Sequence, residues 1–142
     1  MIAIASHGSA IIIVQFLLFS GLLLRFRNHG RAFVPRVGQD ADVVILEDGD
    51  DGREIIKRIE GLPGDEVTVD ASGRLTRNQS DVSERDMIYG PGKGEDHMTF
   101  YVPDGMYFYL GDNRPVSRDS RQEGFAAAER VRGKVLASFR GR

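Results

Sequence analysis

Hydrophobic and polar positions alternate with a period of two in Glu66–Asp70 (EVTVD), a pattern typical of a strand with one buried face. Residues 54–60 (EIIKRIE) fit a helix or a strand by pattern alone. We expect a strand, because this segment is only seven residues long and turn-forming residues lie on both sides. Short β-branched or aromatic runs predict further strands at residues 42–47 (DVVILE), 98–102 (MTFYV), 106–110 (MYFYL) and 131–139, and another strand starts within residues 74–77.

Turn-forming residues separate these predicted strands. The segments DGDDGR (48–53), GLPGD (61–65) and PDG (103–105) place Asp, Gly and Pro where turns favour them. Residues 78–97 and 111–124 are polar and predict loops. Strands joined by tight turns, with no long helix, predict a mainly β, antiparallel, barrel-like domain.

Composition narrows the possible functions. The 142 residues suit one domain, and 19 Lys+Arg against 21 Asp+Glu give a net charge of −2. A general nucleic-acid binder needs a basic face, so nucleic acid is not an expected partner. The chain has no cysteine, which excludes disulfides, thiol nucleophiles and thiolate metal sites. Its three histidines are scattered, and we expect no metal site.

The first 24 residues contain no Asp, Glu, Lys or Arg, and residues 10–24 are almost continuously apolar. With the weakly polar residues 2–9, this segment approaches the ~20 residues that a membrane span needs. We therefore predict a membrane anchor with its basic flank in residues 1–31 and a soluble domain in residues 32–142. The alternative is that the apolar run is a buried element of the soluble domain. Arg25, Arg27 and Arg31 all follow the run, which by the positive-inside rule would place the domain in the cytoplasm.

Lys57 is a candidate general base. On a strand it shares one face with Ile55 and Ile59, and loss of hydration on an apolar face would lower its pKa. A neutral amine can accept a proton near neutral pH. The alternative is an edge-strand lysine whose stem lies along the sheet while its ammonium reaches water.

The loop at residues 111–121 (GDNRPVSRDSR) is dense in charged and hydrogen-bonding groups. Asp112 with Arg114, and Asp119 with Arg121, suggest two pairs that pin the loop by charge-assisted hydrogen bonds. The alternative is a solvated loop with local Asx turns.

Three longer motifs follow one another along the chain: KRIEGLPGD (57–65), VPDGMYF (102–108) and GDNRPVSRDSRQEGF (111–125). Together they resemble the type I signal peptidase family, and the resemblance extends over about residues 40–140. Members of that family are membrane-anchored serine endopeptidases with a Ser/Lys dyad, and they remove signal peptides on the outer side of the membrane. The resemblance thus implies a signal-peptidase-like β domain at a membrane, with preproteins and lipid as partners and no cofactor.

The resemblance also assigns roles. Lys57 matches the general base, and Ser117 matches the hydroxyl that orients its amine. Asp119 and Arg121 match a supporting ion pair. The loop that shapes the site corresponds to Gly111, Asp112, Asn113 and Arg114.

The nucleophile is harder to locate, because the family's Ser-Met-x-Pro segment is missing. One register places Ala32 where the serine belongs. A second register, whose spacing to Lys57 suits the family better, puts the serine upstream and leaves Ser9 and Ser20 as candidates. We favour Ser9; either serine could instead be a membrane-facing or core residue. The N-terminus is divergent, truncated or incorrectly started in this interpretation.

Three functions therefore stay open. The first is a signal peptidase I-like endopeptidase with Lys57 as general base. The second is a homologue that lacks the nucleophile and binds extended peptides. The third is a self-cleaving Ser/Lys regulator domain, against which the GDNRPVSRDSR segment argues.

Overall fold

The computed structural model describes residues 11–15, 22–27, 35–37, 41–49, 51–84, 87–90 and 97–140, of which 11–15, 22–27 and 136–140 are described by their backbone alone. The strands are β1 (Ile11–Gln15), β2 (Leu22–Arg27), β3 (Val43–Glu47), β4 (Glu54–Gly61), β5 (Glu66–Asp70), β6 (Leu75–Arg77), β7 (Ser80–Asp81), β8 (His97–Tyr101), β9 (Met106–Leu110), β10 (Ala126–Ala127) and β11 (Val131–Arg140). A short helix α1 (Ser120–Glu123) and a 3₁₀ turn (Ala128–Arg130) lie between β9 and β11.

The strands form two antiparallel sheets. One has the order β1-β2-β11-β3-β4-β9-β10, and the other has the order β7-β6-β5-β8. In the larger sheet β4 lies between β3 and β9, with Val44 opposite Lys57 on one side and Leu110 opposite Arg58 on the other. The strand that carries Lys57 is therefore held by a neighbour on each side.

Strand β9 contributes to two hydrophobic cores. Tyr107 and Tyr109 pack into a first core, which also contains Val44, Leu46, Ile59 and Ala126. Phe108 and Leu110 pack into a second core on the opposite face of β9, with Val67, Val69, Leu75 and Val102 from the region of the smaller sheet. Side chains alternate across a strand, so a strand buried on both faces reads as a continuous apolar run.

The predicted mainly β antiparallel fold is confirmed, and each strand predicted within residues 42–139 is present. Helix α1 falls inside the loop predicted at residues 111–124. It is only four residues long, and it starts with a capping box in which Asp119 and Gln122 each accept from the other's backbone N–H. A helix this short has no apolar periodicity to reveal it.

The parts of the N-terminal apolar segment that the structure describes are strands. β1 pairs with β2, and β2 pairs with β11. Among the described residues, no helix is long and apolar enough to span a bilayer. The anchor at residues 1–31 lies mostly outside the described residues and stays a prediction, as does the division at residue 32.

Candidate active site

Lys57 lies at the centre of β4 on the face that contributes to the first core. Ile59 on that face is fully buried, Ile55 is partly buried, and Val44 lies opposite Lys57 on β3. The Lys57 side chain is half-buried as a result. Burial lowers the pKa of its amine below the ordinary 10.5, against the opposing field of Asp119. This position therefore favours the neutral amine more than a surface lysine position would.

Ser117 is the hydrogen-bond partner of this amine. Lys57 Nζ donates to Ser117 Oγ across 3.0 Å. The serine is held from behind, because its backbone N–H donates to the carbonyl of Asn113 at 3.0 Å. The Ser117 hydroxyl that the resemblance assigns to orienting the Lys57 amine is thus hydrogen-bonded to that amine. A hydroxyl here can orient the lone pair of a neutral amine.

Gly111 makes room for this pair. A Cβ built at position 111 would lie 2.1 Å from Ser117 Oγ and 3.4 Å from Lys57 Nζ. The first distance is far inside van der Waals contact, so any side chain at position 111 would displace the serine hydroxyl. The sequence-predicted loop residue Gly111 therefore contributes through its missing side chain.

Asp119 and Arg121 form the predicted ion pair, and it is buried. Arg121 Nε donates to Asp119 Oδ1 at 2.8 Å, and the exposed fractions of the two side chains are 5% and 0%. Asp119 Oδ2 also accepts from the backbone N–H of Gly111 at 3.0 Å, while Arg121 Nη2 donates to the carbonyl of Arg114 at 2.8 Å. The pair thereby connects both ends of the loop that presents Ser117.

The predicted pairing of Asp112 with Arg114 is wrong. Asp112 accepts two hydrogen bonds from Arg58 on β4, at 2.9 and 2.8 Å. Arg114 is fully buried and forms an ion pair with Glu84. Asp112 and Arg114 each find a partner far along the chain, whereas Asp119 and Arg121, at the same spacing on the same loop, pair with each other. The side chain of Asn113 is exposed, and its backbone carbonyl holds Ser117 and Val116.

The candidate nucleophiles Ser9 and Ser20, and the alternative position Ala32, lie outside the described residues. The part of the chain that the structure describes contains no group of three or more His, Asp or Glu side chains arranged to hold a metal ion. What the described residues bring together is therefore a desolvated amine, a serine hydroxyl that orients it, and a buried ion pair beneath the loop.

Comparison with known proteins decides the family. The model of the family described as "Signal peptidase, peptidase S26" matches residues 34–139, which is most of the chain. The chain belongs to the signal peptidase S26 family. The resemblance inferred from the sequence is confirmed.

Individual relatives agree. This S26 family member is 40% identical over 90 residues to the protein named "Probable signal peptidase I-2" of Synechocystis sp., a match that covers 59% of the chain and 37% of the relative. It is 36% identical over 87 residues to signal peptidase I U of Bacillus subtilis, covering 56% of the chain and 46% of the relative. The chain thus spans less than half the length of these two relatives.

A solved structure is also similar. The crystal structure of a signal peptidase I from Enterococcus faecalis V583 matches with a TM-score of 0.55 and 32% identity, covering 73% of this chain and all of that one. The antiparallel β architecture described above is therefore similar to that of a signal peptidase I structure.

Four residues of this S26 domain that support the site were missed by sequence reasoning. Arg58 is the partner of Asp112, and Glu84 and Glu60 lie against the buried Arg114. Ser120 Oγ accepts from the backbone N–H of Tyr109 at 2.9 Å and fixes α1 against β9. Glu60 carried a signal that could have been used, since an acidic residue in an apolar strand segment needs a buried partner. The identity of that partner had no local signal.

Proposed function

We propose that this chain is a signal peptidase I-like serine endopeptidase that removes signal peptides from exported proteins at a membrane surface. The observation that carries the proposal is the half-buried Lys57 amine, whose pKa is lowered by burial and whose partner is the Ser117 hydroxyl at 3.0 Å. A lysine in this setting suits a general base, because it is desolvated and its lone pair has a fixed direction. Membership of the signal peptidase S26 family supports the same chemistry.

Lys57 acts as the general base in the proposed mechanism. The neutral amine takes the proton of a serine hydroxyl, and that oxygen attacks the scissile carbonyl carbon. Backbone N–H groups near the serine stabilise the oxyanion, and the proton on Lys57 passes to the leaving amine. Water then hydrolyses the acyl-enzyme with Lys57 again as base. These steps use side chains, backbone groups and water alone.

Ser9 is the proposed nucleophile, and Ser20 is the alternative. Both precede β2 in the sequence. The roles proposed for the residues around Lys57 have stronger support, because these residues lie in the described part of the chain. Ser117 orients the lysine, Asp119 and Arg121 hold the loop from below, and the loop itself is shaped by Gly111, Asp112, Asn113 and Arg114.

The proposed substrate is the extended segment of a preprotein before a small-residue cleavage site. Such a segment can bind as an added strand, with its main chain paired to a sheet edge. We further propose that residues 1–31 attach the chain to the membrane lipid and that residues 32–142 act on its outer side. Flotation of the full chain with phospholipid vesicles tests the attachment, and recovery of all protein in the vesicle-free fraction would contradict it.

A second candidate function follows from the missing Ser-Met-x-Pro segment. A homologue that keeps the lysine strand and the supporting loop but has no attacking hydroxyl would bind extended peptides without cleaving them. Without the hydroxyl no covalent intermediate forms, and only a small residual rate from oxyanion stabilisation is expected.

One experiment separates the two candidates. The purified chain in detergent is incubated with a signal-peptide substrate, beside Lys57→Ala, Ser9→Ala and Ser20→Ala. Ser80→Ala is the control, because Ser80 is an exposed residue on β7. Cleavage that needs Lys57 and Ser9 supports the peptidase with Ser9 as nucleophile. Substrate binding with no cleavage by any variant supports the binding homologue, and cleavage that survives Lys57→Ala contradicts the proposed base.

A further inference from the structure

A buried charged cluster lies near the site, and we call its three members, Glu60, Glu84 and Arg114, the Glu60 cluster. The side chains of Glu60 and Arg114 are 0% exposed, and that of Glu84 is 1% exposed. Arg114 forms its ion pair with Glu84 and also donates to the carbonyl of Gly73. Arg114 Nη2 is 3.6 Å from Glu60 Oε1, which is too long for a hydrogen bond.

The charges in this cluster do not balance when both carboxyl groups are ionised. Arg114 compensates one carboxylate, and that carboxylate is Glu84, which also accepts from the Tyr89 hydroxyl at 2.7 Å. Burial raises the pKa of Tyr89 to about 12, so this hydroxyl keeps its proton. Neither oxygen of Glu60 has a hydrogen-bond donor among the described groups. A buried carboxyl group without a donor avoids the cost of its charge by keeping its proton.

The surrounding charges agree with a neutral Glu60. Burial, followed by the negative charge of Glu84, raises the pKa of Glu60 to about 8. Arg114 and Arg58 act in the opposite direction, but Arg58 is engaged by Asp112. A protonated Glu60 can donate a hydrogen bond to Glu84. Glu84 then accepts hydrogen bonds from Glu60, Arg114 and Tyr89.

Among the described residues, Arg58 acts on Glu60 through its charge, and two guanidinium groups lie over the ring of Tyr89, which donates to Glu84. The guanidinium of Arg74 lies over the Tyr89 ring at 4.7 Å, and that of Arg114 lies over the same ring at 5.8 Å. Glu60 is the member of the cluster whose carboxyl oxygens lack a hydrogen-bond donor among the described groups, which makes it the carboxyl group expected to hold a proton. Among the described carboxyl groups whose pKa departs from the ordinary value, only that of Glu60 is raised.

The Glu60 cluster is bonded to the loop that carries Ser117. Arg114 Nε donates to the carbonyl of Gly111 at 3.0 Å, and its backbone N–H donates to the carbonyl of Ile88 at 3.0 Å. The backbone N–H of Ile88 in turn donates to the carbonyl of Asp112 at 2.9 Å. Through these bonds, the position of Arg114 sets the position of the loop from which Ser117 reaches Lys57.

We propose that Glu60 is a positioning residue of the site: as a neutral acid it bonds to Glu84 and completes the support of Arg114, and loss of its proton loosens the Gly111–Ser117 loop. The consequence for activity rests on the proposed function. The protonation of Glu60 does not rest on the proposed function, and it can be measured in a protein that has no activity. The result is an upper pH limit on the site that is separate from the titration of Lys57.

Thermal unfolding tests the proton. Because the folded-state pKa of about 8 lies above the ordinary 4.5, the stability from this proton is complete below pH 4.5 and is lost as the pH rises to about 8. Glu60→Gln cannot lose it. We expect the difference in unfolding temperature, Glu60→Gln minus wild type, to increase by at least about 3 °C between pH 4.5 and about pH 8. Glu54→Gln, at an exposed position of the same strand, is the control and should keep a constant difference. A constant difference for Glu60→Gln would overturn the proposal.

If Glu60→Gln does not fold, the wild-type protein still gives an answer. Its infrared spectrum should show a protonated carboxylic acid near pH 6 that disappears by about pH 10, and absence of the band near pH 6 overturns the proposal. In the activity assay, wild-type kcat should fall above about pH 8 with KM unchanged, while Glu60→Gln lacks this fall. If neither protein cleaves substrate, the proposed function fails, and the thermal and infrared results still decide the state of Glu60.

Discussion

Gly111 and Ser117 are so close that a single methyl group at position 111 would occupy the place of the serine hydroxyl. The Cβ of an alanine there would lie 2.1 Å from Ser117 Oγ and 2.6 Å from Ser117 Cβ. The hydroxyl that receives the Lys57 hydrogen bond therefore depends on the absence of a side chain on the neighbouring backbone.

Gly111→Ala should damage the site more than the fold. Overpacking at a buried position costs about 1–3 kcal/mol, and displacement of a catalytic group by about 1 Å can lower the rate by roughly 10²-fold. Gly49→Ala is the matched control, because its added Cβ would meet Arg130 at an ordinary 3.6 Å. Urea unfolding and the cleavage assay measure both effects. Full activity in Gly111→Ala would show that Ser117 has another route to Lys57.

Lys57→Met should be stabilising near neutral pH. Burial holds the pKa of Lys57 below 10.5, so the unfolded chain binds its proton more tightly than the folded one. By linkage, wild-type stability then rises with pH in the window that ends at 10.5, and the advantage of the methionine variant shrinks over the same window. Denaturant unfolding at several pH values measures this. An advantage that does not change with pH would contradict the lowered pKa.

The rate of cleavage should follow the same group. Only the neutral amine can take a proton, so kcat/KM should rise with pH as Lys57 loses its proton, with a midpoint below 10.5; the rise is read in Glu60→Gln, which lacks the fall expected of the wild type above about pH 8. Ser117→Ala removes the hydrogen-bond partner and should lower the rate while the protein stays folded. A rate that is flat with pH in the wild type would argue for a different base.

Asp119→Ala should cost about 3–5 kcal/mol of stability, because it leaves the buried Arg121 guanidinium unpaired. Asp51→Ala is a close control. Asp51 pairs with Arg53 at the same sequence spacing and accepts from the backbone N–H of Arg53, as Asp119 accepts from that of Arg121. Both side chains of the Asp51 pair are exposed. We expect it to cost about 0–1 kcal/mol. Equal losses for the two variants would show that burial of the Asp119 pair contributes nothing.

Asp42 should govern part of the acid sensitivity. Burial tends to raise the pKa of its carboxyl group, but hydrogen bonds from Arg36 and Lys134 outweigh burial and hold the pKa below 3.8. This stability is present above pH 3.8 and is lost as the pH falls through the folded-state pKa. Asp42→Asn should therefore cost about 2–3 kcal/mol near neutral pH and progressively less in acid. A cost that is the same at pH 7 and in acid would exclude Asp42 as the sensitive group.

Most of the fold could be predicted from the sequence because the strands carry local signals. Alternation in β5 and apolar runs in β3 and β9 each fix one strand without reference to the rest of the chain. Helix α1 and the two-residue strand β10 were missed, since elements this short are set by tertiary contacts rather than by periodicity.

The candidate site likewise has one part that could be predicted from the sequence and one part that could not. The faces of β4 follow from alternation, so the surroundings of Lys57 could be predicted. The partners of Asp112 and Arg114 could not, because they lie 54 and 30 residues away along the chain. Pairs at such separations depend on how the sheets pack, which no local pattern encodes.

Strand β9 makes the two hydrophobic cores mechanically inseparable. Tyr107 and Tyr109 of β9 belong to one core, and Phe108 and Leu110 of the same strand belong to the other. Because one strand contributes to both cores, neither core can unfold without disrupting the other. The domain should therefore lose its structure in one cooperative transition, without a half-open intermediate in which one sheet survives. In native-state hydrogen exchange, the amides of β4 and those of β5 should then report the same opening free energy, even though they belong to different sheets.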